Sequence, residues 1–297
     1  MILSFAKDSV PVSFAEGTTP RLLTASNITR ASSQYARVLH SHNDRLELLL
    51  VRTGSGYYIV DDEKFEIKAG NIVVCNEGSL HDEVPEYNRQ LSMIAIAIDD
   101  VYIKGLPKNH LIPDTVKPVL KVGKEFVLMD AMFQSIFESL AFGTEEKQQT
   151  CIYLTQALLS LVLHSFEEYG IPSPVTPRKN SSALLHDIKK YIDDNFAEDL
   201  SLPKISEQFF ISQSYLSHLF KRKLGYSPMH YIVRRRIGEA QLLLVFTKKS
   251  ITEIASEVGF DNLSHFNVQF KKYVGLSPLA YRKRNILPDP DEEEDEY

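Results

Sequence analysis

The feature that most constrains this chain is an internal repeat near its C-terminal end. Ser214-x5-Phe220-Lys221-x3-Gly225-x-Ser227-Pro228 recurs about 50 residues later as Ser264-x5-Phe270-Lys271-x3-Gly275-x-Ser277-Pro278. Upstream, Leu202-x-x-Ile205-Ser206 matches Ile251-x-x-Ile254-Ala255 with the register shifted by one, so the second unit holds one extra residue in its turn. Each unit reads as helix, tight turn, helix. Ser201 and Ser212 stand where caps are needed in the first unit, Ser250 and then Asp261 or Asn262 in the second, and Gly259 suits a left-handed helix end.

The second helix of each unit has an apolar stripe, Leu216, Leu219 and Phe220 in one and Phe266 and Phe270 in the other. Opposite the stripe lie Gln213, Ser214, Ser217 and His218, and in the second unit Ser264, Asn267 and Val268. A short helix with a hydrogen-bonding face fits the major groove, which displays donors and acceptors, so these seven are candidates for reading bases. Lys221, Arg222, Lys271 and Lys272 are placed to pair with phosphates. Between the units, Ser227 caps a helix that opens on Pro228, carries Arg234, Arg235 and Arg236, and runs to about Leu244. At 1.5 Å per residue it spans roughly 25 Å, enough to set two reading helices about one DNA turn apart.

The net charge of −6 hides an uneven distribution. Residues 178–286 hold 18 Lys/Arg against 10 Asp/Glu, whereas 1–177 hold 15 against 22 and 287–297 hold 7 acids and no base. A basic segment inside an acidic chain points to a polyanion as partner for that segment alone. Two cysteines, Cys75 and Cys151, are too few for a disulfide framework or a four-thiolate zinc site. The N-terminus lacks a basic start followed by a long apolar run, and no stretch is long and apolar enough to span a bilayer. The expectation is a soluble cytoplasmic protein without a membrane partner.

Residues 10–100 read as short strands, among them Leu46–Val51, Tyr57–Val60, Asn71–Cys75 and Ser92–Ile98, at a spacing that suggests a sandwich or small barrel. From Gly123 the apolar period becomes helical, with stripes over about 123–142 and 145–169. Residues 171–183 hold three prolines and three serines and read as a linker separating two cores; helical pattern resumes at Leu184. The expected organisation is 1–170 as a β-rich domain with a helical pair, 184–286 as an all-α domain and 287–297 as an acidic tail, an α+β chain of two domains.

Residues 184–284 resemble the DNA-binding domain of the arabinose-regulator (AraC/XylS) family, through "SQSYLSHLFKRKLGYSPMHYIVRRRIGEAQLLL" and "SITEIASEVGFDNLSHFNVQFKKYVGLSPLAYRK". The resemblance implies double helix-turn-helix binding to adjacent major grooves of double-stranded DNA. His218 and Val268 depart from the arginine common there, which puts base preference in doubt. His40-Ser-His42-x4-Glu47-x6-Gly54, followed by Gly70-x5-Asn76-x-Gly78-x2-His81, resembles the two motifs of the cupin barrel, although Asn76 and Pro85 replace the usual proline and asparagine. His40, His42, Glu47 and His81 are thus candidates first for a metal-free effector pocket, and second, because the matching residues are ligands in metal-binding cupins, for a divalent metal. Chemically, three imidazoles and a carboxylate suit Zn, Fe, Mn or Ni. The expected protein is a transcription regulator, not an enzyme, with no cofactor required. A small-molecule effector of the carbohydrate or related-metabolite class would control it. The chain would pair as a homodimer and, as an activator, contact RNA polymerase. The rival is a metal-dependent cupin enzyme with an accessory helical domain.

Overall fold

The computed structural model describes residues 18–30, 38–61, 63–83, 91–170 and 180–285. The expected acidic tail, the proline-rich stretch 171–179 and Pro85 lie outside them.

Among the described residues, eight strands form two antiparallel sheets. The larger runs β1 (Arg21–Ile28), β7 (Ser92–Asp99), β2 (Leu46–Thr53), β5 (Asn71–Cys75), β8 (Val119–Lys121), in that order. The smaller has β3 (Ser55–Val60) between β4 (Glu63–Lys68) and β6 (His81–Glu83). Side chains alternate across a strand, and both faces of the larger sheet are covered. Leu46, Leu48, Leu50, Ile94, Ile96 and Ile98 pack on α1 (Phe126–Phe142) and α2 (Glu145–Tyr169). Leu49, Val51, Val73, Met93 and Ala95 pack between the sheets with Tyr58, Val60 and Ile67. Double coverage explains why β2 reads as an unbroken apolar run instead of alternating.

The C-terminal domain is helical throughout: α3 (Asn180–Asn195), α4 (Leu202–Gln208), α5 (Gln213–Leu224), α6 (Pro228–Phe246), α7 (Ile251–Glu257), α8 (Leu263–Val274) and α9 (Pro278–Asn285). The fold is thus the expected α+β pair of domains. Side-chain caps fall on Ser201, Ser212, Ser227, Ser250 and Asn262, each accepting from the backbone N–H three residues on. Ser250 and Glu253 complete a reciprocal capping box. Four residues separate α4 from α5 and five separate α7 from α8, which is the extra residue of the second unit.

The two turns solve one backbone problem differently. Phe210 and Gly259 hold equivalent places with φ of +53° and +89°. Phe210 reaches that conformation with its ring 96% exposed, whereas a Cβ on Gly259 would lie 2.5 Å from the Ala197 carbonyl oxygen. Gly259→Ala is therefore expected to cost about 1–2 kcal/mol, and Phe210→Gly to stabilise by somewhat less, since a left-handed residue with a Cβ bears that strain. Urea unfolding measures both; equal effects in the same direction would contradict this account of the turns.

Two expectations need correction. Helix α3 begins at Asn180, inside the stretch 171–183 read as linker. The two cores are not separate either: Val38, Leu39 and Leu80 of the N-terminal domain belong to the same apolar cluster as Ile232, Ile237, Leu244 and Phe270. The physical reason is that α6 is apolar on more than one side, with Gly238 letting the Leu39 backbone approach it closely.

Candidate functional site

Period-two alternation sets the direction of Glu47. Its neighbours Leu46 and Leu48 face the helices, so Glu47 faces the space between the sheets, across the ladder from Cys75. His81 sits on β6 beside it, and His40 pairs with His81 through two backbone hydrogen bonds, 3.0 and 2.8 Å long. His42 follows two residues later, so His40, His42, Glu47 and His81 converge, one donor atom from each within 4.8 Å of the others. All four are buried.

The Nδ1 atoms of His40 and His81 lie 2.9 Å from the carbonyls of Val38 and Ser79. A carbonyl only accepts, so each Nδ1 carries a proton and Nε2 is the ring atom turned towards the cluster. The Nε2 atoms of His42 and His81 stand 3.1 and 3.2 Å from the Glu47 carboxylate. These contacts lack hydrogen-bond angles, and both Nε2 atoms and Glu47 Oε2 are buried without a hydrogen bond. Burial pushes the Glu47 carboxyl up, but the His42 and His81 rings outweigh it and hold the group well below the usual carboxylate range. Buried ring nitrogens and an anion pointing at a common centre, two of the rings fixed by carbonyls, form a set that a divalent transition-metal ion fits.

The base-reading candidates all lie on one exposed side of their helices: Gln213, Ser214 and His218 on α5, and Ser264, Asn267 and Val268 on α8, are exposed, and Ser217 is half-buried. Behind them Leu216, Leu219, Phe220, Phe266 and Phe270 are buried, as the stripes required. Lys221, Arg222, Lys271 and Lys272 occupy the exposed last turns. The three arginines of α6 do not join them. Arg234 pairs with Asp82, Arg235 with Asp193 at 2.9 Å, and Arg236 donates to the carbonyls of Phe196, Glu198 and Gly259. Burial pushes the Asp82 carboxyl up to about 6 against the pull of Arg234.

A model described as a helix-turn-helix domain matches residues 205–284, and one described as the AraC-like ligand binding domain matches 28–163. The chain belongs to the AraC family. Like other AraC-family proteins it is a transcriptional regulator with a DNA-binding and a ligand-binding domain. It is 27% identical over 91% of its length to an uncharacterized HTH-type transcriptional regulator, YdiP, of Escherichia coli, covering 88% of that protein. It is 29% identical over 84% to YfiF of Bacillus subtilis, also an uncharacterized HTH-type transcriptional regulator, covering 80% of it. Another relative is the HTH-type transcriptional activator RhaS of an Enterobacter species, 25% identical over 82% of this chain and 86% of its own length. Within this AraC-family chain, sequence reasoning missed Asp82, Arg234 and Gln241, which join the ligand-site segment to α6. Only the charge of Arg234 and Asp82 was visible beforehand, and nothing in a lone charge names a partner 152 residues away. Among the described residues, no helix is long and apolar enough to cross a membrane.

Proposed function

We propose that this regulator binds specific DNA sequences through α5 and α8 in the cytoplasm, and that the site of His40, His42, Glu47 and His81 takes its effector. The observation that carries the second part is the donor spacing. A carbohydrate needs a cavity of hundreds of Å³, whereas donor atoms within 4.8 Å of one another suit a single ion. The favoured occupant is therefore a divalent transition-metal ion held by these four side chains, and the carbohydrate expectation gains no support from the spacing. Bound there, the ion would supply positive charge that neutralises Glu47 and fixes the three rings. The rival, a metal-dependent enzyme, predicts turnover of a substrate; a regulator predicts only a change in DNA affinity.

Elemental analysis of the purified full-length protein tests the site. One ion per chain is expected, with His81→Ala losing metal affinity by about 10–100-fold or more. Wild-type protein without metal after reconstitution with Zn²⁺, Mn²⁺, Fe²⁺ and Ni²⁺ would reject it.

For the DNA face, Lys221→Ala and Lys271→Ala are expected to weaken binding to all sequences alike and to lower the salt slope by about one each. Ser217→Ala, His218→Ala and Asn267→Ala are expected to change which bases are preferred. Selection from random duplexes reads the difference, and a reversed pattern would mean that the helix faces are misassigned. Exposed apolar side chains on α1 and α2, among them Val127, Phe142 and Tyr153, support a homodimer through these helices. Contact with RNA polymerase follows if the regulator is an activator.

A further inference from the structure

Resting on that reading of the ligand site, we infer that its occupant acts on the DNA-binding domain through a direct clamp between the ligand-bearing segments and α6. Each of two ligands is adjacent in sequence to a residue that touches α6. Leu39, next to His40, accepts from Arg235 Nη1 at 3.2 Å. Asp82, next to His81, pairs with Arg234. Val38 N–H donates to Gln241 Oε1 at 2.8 Å. The Leu39 carbonyl lies so close to α6 that a Cβ on Gly238 would stand 2.2 Å from its oxygen. His40 itself lines a small interdomain crevice with Gly238, Gln241, Phe246 and Tyr281.

The far side of the clamp is the helix that joins the two reading units. Helix α6 packs on α5 of the first unit and on α7 and α8 of the second. The backbone pair of His40 and His81 is thus a single lever. One end holds two of the four donors, and the other end rests on the helix that positions both reading helices. An ion drawn into the cluster fixes His40 and His81 relative to Glu47, and so fixes the pair of segments against which α6 is seated. Linkage makes the effect reciprocal: if the ion changes affinity for DNA, DNA changes affinity for the ion by the same factor.

The test uses the full-length chain, stripped with a chelator and then loaded with Zn²⁺ alone. Its affinity for a duplex selected from a random pool is measured by fluorescence anisotropy. Loading is expected to change the DNA Kd by about 5–150-fold. Gly238→Ala drives a methyl group into the Leu39 carbonyl and touches no ligand. It should cut the change to below about twofold while one ion per chain is retained. Alanine favours a helix, and a melting curve followed by circular dichroism verifies that this variant folds. Gln241→Met removes the acceptor of the Val38 N–H without added bulk and should weaken the coupling in the same sense. An undiminished metal effect in both variants, or none in metal-loaded wild type, overturns the clamp and leaves the ion site standing. A wild-type chain that takes up no metal overturns both, and elemental analysis tells the two failures apart.

Discussion

Arg235→Ala is expected to destabilise the C-terminal domain by about 1–3 kcal/mol, the cost of leaving the half-buried Asp193 carboxylate without its buried partner. Arg235 is 3% exposed; its Nε donates to Asp193 at 2.9 Å, and its guanidinium lies 4.9 Å from the centre of the Phe196 ring. Asp193 also accepts from the Tyr231 hydroxyl at 2.9 Å and feels the charge of Lys189, but both act on it less than Arg235 does. Burial already pushes the Asp193 carboxyl up, and Arg235 is the main influence pulling it down. Removing the arginine raises that pKa further. A carboxyl whose folded pKa lies above its unfolded value weakens the fold at neutral pH, and the fold recovers as pH falls through the folded pKa. The deficit of the variant should therefore be largest near neutrality and shrink on acidification. Urea unfolding at several pH values measures it. A loss under about 1 kcal/mol at neutral pH would show that the pair is not the buried anchor described here.

Raising salt about fourfold is expected to weaken DNA binding by roughly 500-fold, since about five phosphate contacts give a slope near −4.5. The five are assigned from exposure and position: Lys221, Arg222, Lys271, Lys272 and Lys283. Composition alone suggests more, because 18 cations lie in residues 178–286. Many of them are committed elsewhere. Besides the three arginines of α6, Lys204 pairs with Asp199 and Lys249 with Glu257, and Arg282 donates to the carbonyls of Leu244 and Lys249. If the α6 arginines also neutralised phosphates, the slope would approach about −7. Anisotropy titrations across a salt series separate the cases. A slope near −7 would move α6 to the DNA, and one near zero would remove α5 and α8 from it.

Much of the architecture was legible because its signals are local. The capping serines and the stripe of Leu216, Leu219 and Phe220 are set by residues within a few positions of one another, and the repeat shows on comparing two short windows about 50 residues apart. Glu47 could be grouped with the histidines in advance only through the resemblance to the two cupin motifs. Less legible were the edges. Strand β1 carries Thr24, Ser26 and Asn27, β4 reads Glu-Lys-Phe-Glu-Ile-Lys with only two apolar residues, and β6 and β8 have three residues each. Such strands owe their conformation to the neighbour they pair with more than to their own composition. The domain contacts were invisible for a related reason. Gln241 meets Val38 across 203 residues, and no window of sequence contains both.

The shared core around Val38, Leu39 and Leu80 bears on how regulators of this kind are recombined. A chimera that joins 180–285 to a foreign sensor leaves the Gly238 side of α6 without the backbone that now covers it, and exposes apolar surface beside Leu244. Such a hybrid would be sticky before it was unresponsive. The transferable module is therefore discontinuous: the helices together with the two short segments of the sensor that rest on them. Grafts that carry segments 38–42 and 80–83 along should stay soluble where a cut at the boundary between the domains would not.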